Sequence, residues 1–339
     1  MTSLLSGCGT VAYYAQSVGG HLALVGSAKP VSDWLADPAT SPALKERLAL
    51  SQRIRDFAVA ELHEPDNQSY RRYADLKRDA AVWNVVAAPE LSLTLRTWCF
   101  LVVGCIGYRG YYDRAEAEAL GATLRAGGLE TSVYGVPAYS TLGVLPFDWL
   151  ADPLLSTFID YPEGELARLI FHELAHQIAY AKGDTVFNES FATAVERIGS
   201  ERWLGTRASP EARADYSRYD ARRQDFRALT TRYRGELDAL YRSDLPDAEK
   251  RIRKATLFAS LRAEHVRMKD ERWAGYTGYD GWFARANNAA FGVLAAYNEK
   301  VPDFIRLFER QGRDFDRFYA EVRRLATVEP VEREAALAR

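Results

Sequence analysis

Two histidines and a glutamate form the clearest chemical pattern in this chain of 339 residues. They lie in the segment His172-Glu173-Leu174-Ala175-His176. Residues four apart on a helix project from the same face, so the two imidazoles can bind one metal ion. Glu173 then lies near enough to polarise a metal-bound water. The pattern predicts a hydrolytic zinc site in which Glu173 is the general base.

A third ligand is needed, because a catalytic zinc ion usually takes three protein ligands and leaves one position for water. The chain after His176 lacks the additional histidine of the metzincin pattern. It turns near Gly183 and enters a second predicted helix, which brings Glu189 back beside the first one. We predict that His172, His176 and Glu189 bind one Zn²⁺ ion.

The imidazoles of such a site also need partners, because metal-bound histidines usually donate their second ring nitrogen to an acceptor that orients the ring. Glu196 and Thr193 follow Glu189 by seven and four residues, on the same face of the second helix. Either side chain is a candidate for this role.

The second helix resembles that of the glutamate zincins, or gluzincins, in which an Asn-Glu segment supplies the third zinc ligand. The aminopeptidase N-like form, Asn-Glu-x-Phe-Ala-Ser/Thr, is matched by Asn188, Glu189, Phe191, Ala192 and Thr193. Two features differ from those enzymes. Only twelve residues separate His176 from Glu189, and the Gly-x-Met-Glu-Asn motif that holds the substrate amine is absent. The resemblance therefore implies a zinc peptidase without establishing exopeptidase specificity.

Nearly the whole chain resembles a bacterial family named the putative aminopeptidases, whose members carry a lipobox. The matching segments are Trp98 to Cys105, Tyr108 to Tyr111, Val136 to Gly143, His172 to His176 and Phe187 to Thr193. This resemblance implies a zincin-like fold and peptidase activity, but it does not identify the substrate.

In gluzincins a downstream tyrosine or histidine often stabilises the oxyanion of the transition state. We assign this role to Tyr297, which stands in the segment Asn287-Asn288 to Tyr297-Asn298. The alternatives are Tyr276, Tyr279 and His265. Upstream of the metal helix, Val136 to Gly143 is expected to form an edge strand that can pair with an extended peptide.

The N-terminal segment Leu5-Ser6-Gly7-Cys8 resembles a bacterial lipobox, in which the cysteine after the cleavage site carries acyl chains. Met1 to Gly7 lacks the basic and the long apolar region of a complete signal peptide. We expect a lipid anchor at Cys8 that holds the protein on the periplasmic face of a bacterial membrane. The alternative is a cytoplasmic protein with an unmodified Cys8.

Cys99 and Cys105 have five residues between them in a strand-like apolar run. In an oxidising compartment they can form a local disulfide. A metal-binding pair and two small buried thiols are the other interpretations.

The composition is that of an ordinary globular protein, with 47% apolar residues, 27% charged residues and a net charge of −2. This charge gives no electrostatic reason to expect a nucleic-acid partner. No apolar run is long enough to cross a bilayer. The partner that we expect is a peptide substrate, and the sequence does not determine the oligomeric state.

The lipobox resemblance implies an N-terminal tether over residues 1–11, and the family resemblance implies one zincin-like peptidase domain over residues 12–339. Within the domain we expect a small mixed sheet over about 81–143, which includes a strand with alternating Leu91, Leu93 and Leu95. A helical part is expected over about 153–330. The predicted fold is therefore α+β and mostly helical, with the metal site on two adjacent helices.

The helical part is predicted to contain the following helices. The metal helix runs from about Pro162 to Ala181, and the second metal helix from about Asn188 to Trp203. Two long amphipathic helices span Pro210 to Met268 with a break near Leu245-Pro246. Three shorter helices follow, at Ala284 to Lys300, Pro302 to Arg310 and Phe315 to Thr327.

The function that these residues favour is peptide hydrolysis by a metal-activated water, with aminopeptidase as the first expectation. A zinc endopeptidase acting on envelope peptides would use the same metal chemistry. A catalytically silent zincin-like binding lipoprotein is the third possibility, and the intact Glu173 argues against it.

Overall fold

The computed structural model describes residues 5–100, 104–141, 148–296 and 300–338. Within these ranges the fold is α+β and mostly helical, as predicted. The helices are α1 (Leu5–Ser27), α2 (Val31–Ala36), α3 (Pro42–Leu62), α4 (Arg114–Ala126), α5 (Glu163–Ala175), α6 (Thr185–Thr206), α7 (Pro210–Arg242), α8 (Asp247–Glu271), α9 (Asp280–Arg285), α10 (Asn288–Ala296), α11 (Val301–Arg310), α12 (Phe315–Thr327) and α13 (Pro330–Leu337). The strands are β1 (Lys29–Pro30), β2 (Arg72–Ala74), β3 (Val82–Pro89), β4 (Trp98–Phe100), β5 (Gly104–Ile106), β6 (Arg109–Tyr111), β7 (Leu129–Val136) and β8 (Leu154–Leu155).

The strands form three small sheets rather than one. β3 is the centre of an antiparallel sheet with the order β6-β3-β7. β4 and β5 form a separate antiparallel hairpin. The mixed sheet has the order β1-β2-β8 and takes its strands from outside the predicted range. The expected mixed sheet over 81–143 was therefore wrong in this detail, because the strands of that region pair antiparallel with neighbours.

The strand expected through Leu91, Leu93 and Leu95 is not formed. Leu93 packs into an apolar cluster with residues of α7, α8 and α10, whereas Leu95 packs against Val86, Ala88 and other residues beside β3. Residues two apart would share one face of a strand, whereas Leu93 and Leu95 enter different clusters, so the alternation here does not mark a strand face.

β7 is an edge strand, but it ends at Val136. The described part of the expected edge strand beyond it, residues 137–141, has no strand pairing. Its backbone is held by side chains instead. Thr157 donates to the Pro137 carbonyl, and the Thr141 N–H donates to the carboxylate of Asp152.

The long helices α7 and α8 end and begin on either side of Pro246, as the sequence predicted. The helix expected over Ala284 to Lys300 is divided, because Ala286 is extended and Asn287 accepts a hydrogen bond from the Ala290 N–H at the start of α10. None of the described helices is both long and apolar enough to cross a membrane.

The metal helix α5 ends at Ala175, six residues before the predicted end at Ala181. Two side-chain contacts explain the early end. The amide of Gln177 is bound by Asn67 and Ser69. The N–H and carbonyl of Ala181 are both bound by the side-chain amide of Asn188. These tertiary bonds satisfy backbone and side-chain groups that a longer helix would have used.

Cys99 and Cys105 face each other across the β4–β5 hairpin and form a disulfide, which confirms one of the three interpretations of this pair. The hairpin lies against the connection between α5 and α6. A Cβ atom added at Gly104 would come within 3.0 Å of the Gly183 backbone nitrogen. The disulfide therefore closes a hairpin that packs directly beside the connection between α5 and α6.

Candidate active site

The two helices that carry the candidate ligands pack closely in the main apolar core. Gly199 on α6 allows this approach, because a Cβ atom there would come within 2.9 Å of the Phe171 ring of α5. Asp184 caps the start of α6, because its carboxylate accepts the Phe187 N–H. Asp184 is itself paired with the buried Arg333 of α13. The start of α6, and with it Glu189, is therefore fixed by both local and distant contacts.

The three predicted ligands lie together. The Nε2 atom of His172 is 3.3 Å from Oε2 of Glu189, and the Nε2 atom of His176 is 3.7 Å from the same oxygen. All three ligand atoms lie within 4.8 Å of one another. Two imidazole nitrogens and one carboxylate oxygen are a donor set that suits zinc and leaves a coordination position open. The residues present therefore fit a single divalent ion.

Glu196 orients His172. Its Oε2 atom lies 2.9 Å from Nδ1 of His172, so the ring presents Nε2 to Glu189. The other oxygen of Glu196 accepts hydrogen bonds from the guanidinium of Arg168, one α5 turn before His172. The sequence offered Glu196 and Thr193 for this contact, and the structure gives it to Glu196.

The Glu196 contact continues into a chain of partly buried ion pairs. Arg168 also bonds to Glu165, at 3.0 Å. Arg223 of α7 holds both oxygens of Glu165, at 2.9 Å each. This chain links α5, α6 and α7 behind the first histidine, and such paired charges tolerate burial because each has its partners.

Burial and neighbouring charges set the protonation states of the candidate ligands and of Glu196. Burial lowers the pKa of His176 to about 4, so its imidazole is neutral at pH 7 and able to bind a metal. Burial alone would raise the pKa of Glu196, but Arg168 and His172 lower it to about 2. Glu189 is also held below its ordinary pKa, because His176 and His172 outweigh its burial. Both carboxylates are therefore ionised at neutral pH.

Glu173 differs from these two carboxylates. Burial raises its pKa to about 7, with Glu189 and Asp152 adding to the effect and His172 opposing it. A carboxylate whose pKa lies near neutrality can both accept and return a proton, as a general base must. The predicted role of Glu173 is consistent with this environment.

A cavity of about 460 Å³ opens onto the ligand group. We name it the tyrosine cavity, since its lining includes Tyr108, Tyr112, Tyr139 and Tyr180. Burial and the charge of Glu189 raise the pKa of both Tyr108 and Tyr180, so both rings lie within electrostatic range of the third ligand. Each can act as a neutral hydroxyl donor near the site.

A second cavity, of about 380 Å³, reaches the same centre from the side of α7. We name it the arginine cavity, since Arg168, Arg223 and Arg227 line it together with Leu169 and Tyr279. His172 and Glu173 line both cavities. The candidate centre therefore lies between two cavities rather than at the end of one.

The residues predicted as oxyanion donors lie at different places in the structure. Tyr297 lies outside the described residues. Tyr279 borders the arginine cavity and stacks on Phe226 at 4.5 Å. His265 stacks on Phe283 at 4.0 Å in the cluster formed by α7, α8 and α9. Among the described residues that line either cavity, neither Tyr276 nor His265 is found.

Sequence reasoning missed Tyr108, Tyr180 and Arg168 as site residues. Tyr180 and Arg168 each stand four residues from a motif histidine, which is a usable local signal. Tyr108 has no such signal, because it reaches the site through the loop between β5 and β6. Only the Tyr-Arg-Gly-Tyr segment that begins at Tyr108 drew attention to it.

No curated protein and no solved structure shows a significant match to this chain. A family model described as "Putative aminopeptidase" matches residues 12–337, which is almost the whole chain and includes both metal helices and both cavities. The chain therefore belongs to the "Putative aminopeptidase" family.

Proposed function

We propose that this protein is a zinc-dependent peptidase with a zincin-like centre, in which His172, His176 and Glu189 hold the ion. The observation that carries the proposal is the convergence of two Nε2 atoms on one Glu189 oxygen, while the other nitrogen of His172 is held by Glu196. A structural pair of histidines would not need its free nitrogens directed to one point. The family's name supports peptide hydrolysis as the reaction.

Bound zinc would supply a lowered water pKa and a polarised substrate carbonyl. The chain's own residues supply the rest. Glu173 accepts a proton from the attacking water and returns it to the departing amine. Tyr108 and Tyr180 line the tyrosine cavity and carry hydroxyl groups. We assign to them the stabilisation of the oxyanion, the role for which the sequence suggested Tyr297. Glu196 and Arg168 keep the His172 ring in position.

Replacing Glu173 tests the proposal most directly. Glu173→Gln keeps the size of the side chain but removes the base, so we expect peptide hydrolysis to fall by about 10²- to 10⁴-fold. Metal content, measured by elemental analysis, should stay at one zinc per chain. Glu201→Gln is the matched control, since Glu201 is exposed on α6. Wild-type hydrolysis by Glu173→Gln would contradict the mechanism.

An endopeptidase remains a second candidate because the centre lies between two cavities. A peptide laid across both would extend on each side of the bond to be cleaved. Among the described residues that line the tyrosine cavity, the carboxylates are Glu173 and Glu189. Both already have roles in the proposed mechanism, so neither is assigned to the free amine of an aminopeptidase substrate.

Free and N-acetylated versions of one peptide separate the two candidates. An aminopeptidase loses most activity on the acetylated peptide, whereas an endopeptidase cleaves both at similar rates. Hydrolysis of neither peptide by zinc-loaded protein would favour the binding lipoprotein instead.

A further inference from the structure

The solvent side of α1 is apolar. Its exposed positions between residues 12 and 26 are Ala12, Ala15, Val18, Gly19, Leu22, Ala23 and Gly26. Val18 is 57% exposed and Leu22 is 42% exposed. The helix contains no Asp, Glu, Lys or Arg. A helix on the surface of a soluble domain normally carries its charged and polar residues on this side.

Gln16 and His21 of α1 face the protein instead. The Gln16 amide donates to the Gly110 carbonyl and accepts the Tyr112 N–H, each at 3.2 Å. Nδ1 of His21 lies 2.8 Å from the Tyr139 hydroxyl. Between residues 12 and 26 the usual distribution is thus reversed: the inner face makes hydrogen bonds, and the exposed positions carry only apolar residues and glycine.

The apolar face continues beyond the helix. The short 3₁₀ turn Asp148–Leu150 packs against α1, and its Trp149 is 52% exposed. Lys29 follows the helix and is also exposed. Exposed tryptophan with a basic residue at the rim is typical of surfaces that meet the headgroup region of a bilayer. We call Val18, Leu22, Trp149 and the small exposed residues of α1 the α1 patch.

We propose that the α1 patch lies on the surface of a phospholipid bilayer. The predicted acylation site, Cys8, stands ten residues before Val18 in the sequence, close to the start of α1. Acyl chains on Cys8 would hold the start of α1 at the bilayer, so the patch on the same helix would lie beside the lipid. The α1 patch carries no charged side chain, which suits apolar insertion rather than an ionic partner.

The inner side of α1 borders the candidate active site. Tyr13 and Ser17, on the inner side of α1, line the tyrosine cavity. Only the thickness of one helix, about 10 Å, then separates this cavity from the bilayer surface. Peptides held close to the membrane would reach the site first. The membrane contact itself does not depend on the peptidase proposal.

Vesicle binding by the full-length chain tests the proposal. Cys8→Ser protein lacks acylation, so any binding to phosphatidylethanolamine–phosphatidylglycerol vesicles reports the patch alone in a sedimentation assay. Adding Val18→Glu and Leu22→Glu should weaken that binding at least about tenfold, since burial of one leucine is worth about a factor of ten or more. The matched control is Ile252→Glu, because Ile252 is 63% exposed on α8 and far from the patch in sequence.

The expected result is vesicle binding by the Cys8→Ser protein that persists at high salt, is lost in the double glutamate variant and is kept by Ile252→Glu. Zinc content should be equal in all variants, which shows that the fold is intact. Absence of vesicle binding, or equal binding with and without the two glutamates, would overturn the proposal. A dimer in solution that the two glutamates dissociate would also overturn it, because the patch would then be covered by a second copy.

Discussion

At the scale of single residues, local spacing predicted which candidate ligand side chains lie together, but it missed the residues around them. His172, Glu173 and His176 follow from a four-residue repeat, and Glu189 follows from a short connection between two helices. Their positions in the structure agree with both inferences. Tyr108 could not be inferred in the same way, because more than sixty residues of chain separate it from His172. Contacts of that range depend on sheet pairing, which no local period encodes.

Tyr108 and Tyr180 are the residues on which transition-state stabilisation is best tested. We expect Tyr108→Phe or Tyr180→Phe to lower kcat by about 10²- to 10³-fold with little change in KM, since an oxyanion donor acts mainly in the transition state. Steady-state kinetics of both variants measures this. Tyr112→Phe is the control, because Tyr112 lines the same cavity but contacts Tyr139 rather than Glu189.

Two unchanged kcat values would remove both tyrosines from the mechanism. Tyr297 would then return as the first candidate. A loss of zinc in either variant would instead show that the ring supports the metal ligands.

At the scale of elements, helices were predicted better than strands. The starts of α4 and α7 carry local signals, since Asp113 and Ser209 each accept a hydrogen bond from the backbone three residues later. The end of α5 and the unpaired segment 137–141 were not predictable, because distant side chains fix them. Hydrogen bonds of Gln177 and Asn188 fix the chain after α5, and hydrogen bonds to Asp152 fix the segment 137–141.

Asp152 gives the segment 137–141 a testable pH dependence. The carboxylate is buried, accepts hydrogen bonds from Thr141 and Ser140, and lies close to Gln177. Burial raises its pKa from 3.8 to about 6, against the lowering effect of those hydrogen bonds. Between about pH 4 and pH 6 the folded state therefore binds more protons than the unfolded state. Stability from this group is greatest at low pH and falls as the pH rises.

Asp152→Asn removes this titration. We expect the free energy of unfolding of the wild type, minus that of Asp152→Asn, to fall by roughly 2 kcal/mol between pH 4 and pH 7. Denaturant unfolding of both proteins at several pH values measures the difference. A difference that stays constant or rises over this range would show that Asp152 is not the buried acid that the structure indicates.

At the scale of the whole molecule, the candidate centre joins parts that are distant in the chain. α5 and α6 belong to the main apolar core, α7 leads to a second apolar cluster, and the antiparallel sheet contributes to the tyrosine cavity. The sequence identified the α+β class and the order of most elements. The sequence did not predict which elements pack against each other. The apolar faces of α7, α8 and the sheet are compatible with more than one packing partner.

Because the proposed ligands come from α5, its C-terminal end and α6, which pack in the main apolar core, a bound ion should stabilise the entire fold. An ion that binds only the folded chain stabilises it by about 4 kcal/mol when present at about a thousand times its Kd. For a protein of this size, a chelator should then lower the Tm by about 5 °C.

Glu189→Ala should melt at the lower temperature with or without chelator. Glu196→Gln should show a smaller chelator effect, since loss of such a partner weakens metal affinity about 10- to 100-fold. Calorimetry with Glu201→Gln as control measures these shifts, and an equal chelator effect on Glu189→Ala and the wild type would place the ion elsewhere.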